Sequence, residues 1–173
     1  MSQKVVAHYI DHKVIKGTSL DVDPGRPRCH VLTVDGRPVE VELKDLKALY
    51  FVKDLSGQPQ YDETHRPKPG DDRLRGSRQV EMMFQDGERL GGLMNRYPPN
   101  RPFFFVLPMD PESNNIRILV NRDALAELKP VDDKSDAIDT APGAGGSPSP
   151  VPPRAKRTSW VFDGKDIKYV EIE

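Results

Sequence analysis

Val80, Met82 and Phe84 alternate with Glu81, Met83 and Gln85, a two-residue period that predicts a β-strand with one buried face. Asp86-Gly87 supplies the residues of a tight hairpin turn, and Leu90, Gly92 and Met94 continue on the return strand. Phe103–Leu107 is a nearly continuous apolar run, as expected of a strand buried on both sides. A fourth strand is predicted over Ile116–Val120, one short helical turn over Asn121–Ala124, and a fifth strand over Leu125–Lys129. The N-terminal part reads the same way. Its strands are Lys4–Ile10, Lys13–Val22, Arg28–Val34 and Val39–Leu43, followed by a turn at Lys44–Lys47 and a strand over Ala48–Lys53.

The likeness between the two parts extends to residues. A shift of 75 positions lays Val5–Leu32 over Val80–Leu107 without a gap. Asp11 then falls on Asp86, Gly17 on Gly92, Pro24, Arg26 and Pro27 on Pro99, Arg101 and Pro102, and Val31-Leu32 on Val106-Leu107. Turn-type residues at equal spacing are a signature of internal duplication. Farther on, Val39–Leu43 pairs loosely with Ile116–Val120, and the extra length of the second copy falls in Asp110–Asn115, which reads as a longer hairpin loop.

Four strands, a helical turn and a fifth strand in about fifty residues resemble the plan of SH3-like and Sm-like small barrels. Gly87-Glu-Arg-Leu90-Gly-Gly92 is similar to the glycine-leucine-glycine pattern of the first two strands in bacterial Sm-like proteins. His12 replaces the first of these glycines in the other copy. The opening Lys4–Asp11 and the block Arg101–Asn115 also resemble a bacterial family of unknown function, which implies a fold and no activity. The expectation is a mainly β chain of two tandem SH3-like or Sm-like barrels, residues 4–57 and 78–130. A unit of that size is barely self-sufficient, so the two should pack together, with Phe103–Phe105 in the shared core.

The remaining segments lack apolar periodicity. Residues 58–77 read as an exposed connector rich in glycine, proline and charge. Residues 131–158 hold few apolar anchors in an Ala-, Pro-, Gly- and Ser-rich run and read as a disordered linker. Residues 159–173 alternate again around Asp163-Gly164, a hairpin signal carrying Trp160, Phe162 and Tyr169. Two strands alone are marginal in water, so this tail should dock on the chain itself or on a partner.

Charge narrows the functional classes without selecting one. Basic and acidic residues number 26 and 27, and the two copies are separately balanced, which makes nucleic acid an unlikely partner. No apolar stretch reaches the length of a membrane span or a leader, so the expectation is a cytoplasmic protein. Cys29 is the only cysteine and reads as a buried structural residue. His8 and His12 lie roughly 13 Å apart along a strand and do not suggest a metal pair. No nucleophile-base set and no phosphate-binding glycine loop is present. The sequence therefore implies no catalytic residue, no metal and no cofactor.

Three functions remain: a non-catalytic protein-binding or regulatory adaptor, an Sm-like nucleic-acid binder, and a PilZ-like sensor of an anionic nucleotide. Leu43-Lys-Asp45 and Val120-Asn-Arg122 lack the Tyr-Lys-His of bacterial Sm-like RNA binders, and Arg73-Leu-Arg75-Gly-Ser-Arg78 lacks the PilZ arginine spacing. An unknown protein partner is thus the leading expectation. Candidate contact residues are Arg26 and Arg101 of the repeated Pro-x-Arg-Pro, Arg28, Asn114, Asn115, Trp160, Phe162 and Tyr169. The arginines of Pro-x-Arg-Pro either close a rigid loop through carbonyls or face an anionic ligand.

Overall fold

The computed structural model describes residues 1–131 and the strands at 157–163 and 166–172. The first half supplies β1 (Gln3–Tyr9), β2 (Val14–Ser19), β3 (Arg28–Thr33), β4 (Pro38–Glu42) and β5 (Leu46–Val52). The second supplies β6 (Arg78–Phe84), β7 (Arg89–Met94), β8 (Phe103–Pro108), β9 (Asn115–Asn121) and β10 (Leu125–Pro130). These ten strands form one open antiparallel sheet, ordered β10-β6-β7-β8-β9-β5-β1-β2-β3-β4. A separate antiparallel pair, β11 (Arg157–Asp163) and β12 (Asp166–Ile172), sets Trp160 opposite Tyr169 in register. The expected linker lies almost wholly outside the described residues.

Corresponding strands are built alike. The β1–β2 turn closes with Tyr9 N–H donating to Lys13 O, and the β6–β7 turn with Phe84 N–H donating to Glu88 O, at 2.9 and 2.8 Å. Asp11 and Asp86 accept from the backbone N–H two residues on, in the role expected of turn aspartates. His12 holds φ 71° where Gly87 holds φ 87°. Before the last strand of each half comes a single 3-10 turn, Leu43–Asp45 or Arg122–Ala124, whose first N–H donates to Pro27 O or Pro102 O. The last strand of each half then carries a bulge, at Lys47 in β5 and at Ala126 in β10.

These landmarks correct the expected match of the fourth strands. Arg28 stands opposite Glu42, and Phe103 opposite Asn121, so Val41 corresponds to Val120 and the offset is 79. The loose pairing of Val39–Leu43 with Ile116–Val120 was two residues short. An even slip keeps every side chain on its own face, so alternation could not detect it. The four added residues lie in the β8–β9 loop, where a longer loop was expected.

Packing explains why the halves stay together. Val5, Ala7, Val31, Val41, Leu49 and Phe51 form one core, which also takes Leu119 from β9 and has Phe103 and Phe105 packed against it. Val80, Met82, Phe84, Val106, Ile118 and Val120 form the other, which takes Ala48 of β5 and has Tyr50 packed against it. Strands β5 and β9 therefore serve two cores, one from each face. Gly17 is required by close approach: a Cβ there would sit 2.1 Å from Leu32 O.

Candidate functional site

Alternation in β3 turns Cys29 and Val31 into the core and His30 and Leu32 outward. The outer face of the first half therefore presents Leu32, with Val34 in the following turn and Leu20 just beyond β2. Their exposures are 51%, 75% and 78%, high for large apolar side chains. Two of the three corresponding positions of the second half are covered: Leu107, matching Leu32, is half-buried and Met109, matching Val34, is 6% exposed, while Asn95, matching Leu20, is itself exposed.

The connector accounts for the difference. Most of its residues are exposed, as its composition suggests, and groups along it are hydrogen-bonded to the second half. Arg73 donates to Pro108 O at 2.9 Å and Met109 O at 2.8 Å, while Asp71 holds the guanidinium at 2.7 Å. Thr64 N–H donates to Asp110 at 3.0 Å, and Ser113 Oγ donates to Glu63 at 2.6 Å. Asp110 and Ser113 are buried beneath this cover. Among the described residues, no such segment makes these bonds to the first half.

Polar side chains rim the bare face. Asp21 accepts from His30 N–H at 2.8 Å and meets His30 Nδ1 at 2.7 Å; Glu40 lies 3.6 Å from Nε2. The Asp21 hydrogen bond raises the His30 pKa above its ordinary value, and the same His30 bonds hold Asp21 below the usual carboxylate range. The result is a basic imidazole between two carboxylates. Its neighbour Cys29 faces the core with its thiol pushed up to about 11 by burial, so no nucleophile is paired with the imidazole there. Among the described residues, no His, Cys, Asp and Glu cluster could hold a metal ion.

The expected contact residues are scattered. Among the described residues the exposed Arg26 side chain reaches only Asp23, at 3.9 Å, and Arg101 is exposed on the β7–β8 loop. Neither closes its loop through a carbonyl; the Pro27 and Pro102 carbonyls do so as acceptors from the 3-10 turns. Arg28 is spent on Glu40 at 3.0 Å and Glu42 at 3.7 Å. Asn114 clamps the end of β5: its Oδ1 accepts from Asp54 N–H at 3.0 Å and its Nδ2 donates to Asp54 O at 2.9 Å. Asn115 N–H donates to Ser113 Oγ. Trp160, Phe162 and Tyr169 lie in β11 and β12, and their side chains are outside the described residues.

Between the halves lies a cation that alternation did not reveal. The bulge at Lys47 turns its side chain to the β6–β7 turn, where Nζ meets Asp86 at 2.6 Å and also Glu88, and lies 4.6 Å from the centre of the Phe84 ring. Lys47 is 7% exposed. Only the reading of residues 44–47 as a turn hinted that this lysine leaves the strand pattern.

The model of a family of unknown function, DUF6982, matches residues 1–132. The chain belongs to that family. The match spans the whole ten-stranded sheet, the part whose two blocks already resemble such a family in the sequence. No curated protein and no solved structure matches the chain. No helix among the described residues is long and apolar enough to cross a membrane.

Proposed function

We propose that this DUF6982 member is a non-catalytic protein-binding or regulatory module, with each half a small SH3-like or Sm-like unit. Its binding surface is the outer face of the first half. One observation carries this reading: Leu32 and Val34 are bare, whereas their counterparts Leu107 and Met109 are half-buried and buried beside the connector's Arg73. Apolar side chains clustered on a surface favour a protein occupant. The connector is an internal example of the occupant's chemistry, an irregular segment with one 3-10 turn, Asp72–Leu74, anchored by hydrogen bonds to the end of β8 and the loop after it. The partner is accordingly a non-strand segment with an apolar side chain for Leu32 and Val34.

The test is capture of partners by the full chain, repeated with Leu32→Glu plus Val34→Glu and with Arg101→Glu as control. Binding of a purified captured protein should fall at least tenfold in the first variant and stay within twofold in the second. Equal binding by all three would overturn the reading.

A second reading, nucleic-acid binding, draws on one feature. Arg101 is exposed one residue before Pro102, whose carbonyl accepts from Arg122 N–H at 2.8 Å, so two exposed arginines stand close together. Neither makes an ion pair among the described residues. Short RNA bound with a steep salt dependence, and lost in Arg101→Ala, would favour this reading over the first.

A further inference from the structure

Strands β5 and β9 are the joint between the halves. Ala48 pairs with Val120, Leu49 with Leu119, Tyr50 with Ile118 and Phe51 with Arg117. In an antiparallel ladder, alternate pairs exchange both hydrogen bonds. Arg122 N–H donates to Pro102 O, which turns the N–H groups of Leu119 and Arg117 away from β8 and toward β5. The bonded pairs of the joint are therefore Leu49–Leu119 and Phe51–Arg117.

The two ends of the sheet are the unused counterparts of that joint. β10 corresponds to β5 and β4 to β9, each at an offset of 79, and the sheet ends on β10 and β4. A second copy of the chain laid on β4 through its β10 would continue the sheet head to tail. In that register Leu128 would meet Glu40, and Pro130 would meet Pro38. The bonded pair Phe51–Arg117 thus becomes a pair of prolines.

Both prolines lack their N–H on the open side. Val131 N–H donates to Gln79 O, so position 130 faces away from β6. Thr33 N–H donates to Arg37 O, so position 38 faces away from β3. Charge completes the change: Glu127 and Lys129 replace Ala48 and Tyr50, and Glu40 replaces Leu119. Prolines and charges on edge strands oppose further pairing. We infer that a head-to-tail joint is used once inside this chain and is shut at both outer ends by Pro38 and Pro130, so that the sheet stops at ten strands. The surface concerned is a self-association edge, and the partner it refuses is a second copy of the chain.

Two full-length variants test this. One carries Pro38→Arg and Glu40→Leu on β4; the other carries Glu127→Ala, Lys129→Tyr and Pro130→Phe on β10. Each restores the joint's residues on one edge only. By sedimentation equilibrium each variant alone should remain a monomer, like the parent chain, and an equimolar mixture should form a one-to-one complex. The same mixture with both prolines retained should bind at least tenfold more weakly.

A mixture that stays monomeric, or equal binding with the prolines retained, would overturn the inference. The parent chain gives an arm that does not depend on the variants folding. Its Glu40 and Leu128 amides should exchange with solvent quickly at every protein concentration. Protection that rises with concentration would show that the edges already pair.

Discussion

Arg117 of β9 faces Phe51 of β5 across the joint, with its guanidinium carbon 4.3 Å from the ring centre. Phe105 adds a second ring at 4.7 Å, and Gln3 accepts from the guanidinium at 3.2 Å. A cation between two rings stabilises by about 1–2 kcal/mol when partly desolvated. Arg117→Ala should cost about 2 kcal/mol in chemical denaturation and Arg117→Lys less, because the ammonium keeps the charge but not the plane.

Residues 1–57 alone should not fold. Their core lacks Leu119, and Phe103 and Phe105 no longer pack against it. Circular dichroism of the fragment should lack a cooperative melting transition, whereas residues 1–132 should melt in a single step. A folded 1–57 fragment would mean that the shared strands add little.

Lys47 makes the sheet sensitive to acid. Burial alone would raise the Asp86 pKa, but the Lys47 hydrogen bond, the Glu88 N–H and the Lys47 charge outweigh it and hold the carboxyl low. A depressed carboxylate contributes stability above its ordinary pKa and loses it as pH falls through the lower, folded value. Denaturation at a series of pH values should show that loss below about pH 4, and Asp86→Asn should reduce it. Lys47→Met leaves two carboxylates without their cation and should cost about 3 kcal/mol near neutral pH. Adding Asp86→Asn and Glu88→Gln to that variant should recover part of the loss.

His12→Gly should stabilise the chain by about 1 kcal/mol, because a side chain at positive φ carries a cost that glycine escapes. Gly87→His at the matching turn should lower stability by a similar amount. Thermal midpoints that move in opposite directions would verify the equivalence of the two turns.

The histidines should titrate far apart. His30, raised by Asp21, contributes stability that is present below its ordinary pKa and lost as pH rises through the higher, folded value. His8, lowered to about 4 by burial and then by Lys47 and Lys16, stays neutral in the fold. The unfolded chain takes up that proton first, so the His8 contribution is lost as pH falls from about 6.5 to 4. NMR should place the His30 midpoint above 6.5, returning toward it in Asp21→Asn, and should find His8 unprotonated at pH 5.

Much of the sheet was legible from alternation and turn residues. Val80, Met82 and Phe84 are buried as their spacing implies, and the short turn before the last strand is present in both halves. Phe103–Phe105 does divide between two cores, since Phe104 belongs to the second and its neighbours pack on the first. Alternation specifies which side of a strand a residue takes, but not what lies over that side. Leu32 and Leu107 are identical in sequence and matched in position, yet Arg73 and Glu63 anchor a covering segment beside only one of them. Polar residues in an irregular connector carry no periodic trace of such an anchor. The same limit hid Lys47, whose role depends on a bulge and on a turn some forty residues away.

The division of β5 and β9 between two cores has an evolutionary consequence. Leu49 and Tyr50 are adjacent in the chain but answer to different interiors, so a substitution at either is judged by residues of both halves. Neither half can be lost, exchanged or shuffled into another protein without leaving a core open. In this chain the pair of halves, and not either half alone, is the unit that closes both cores.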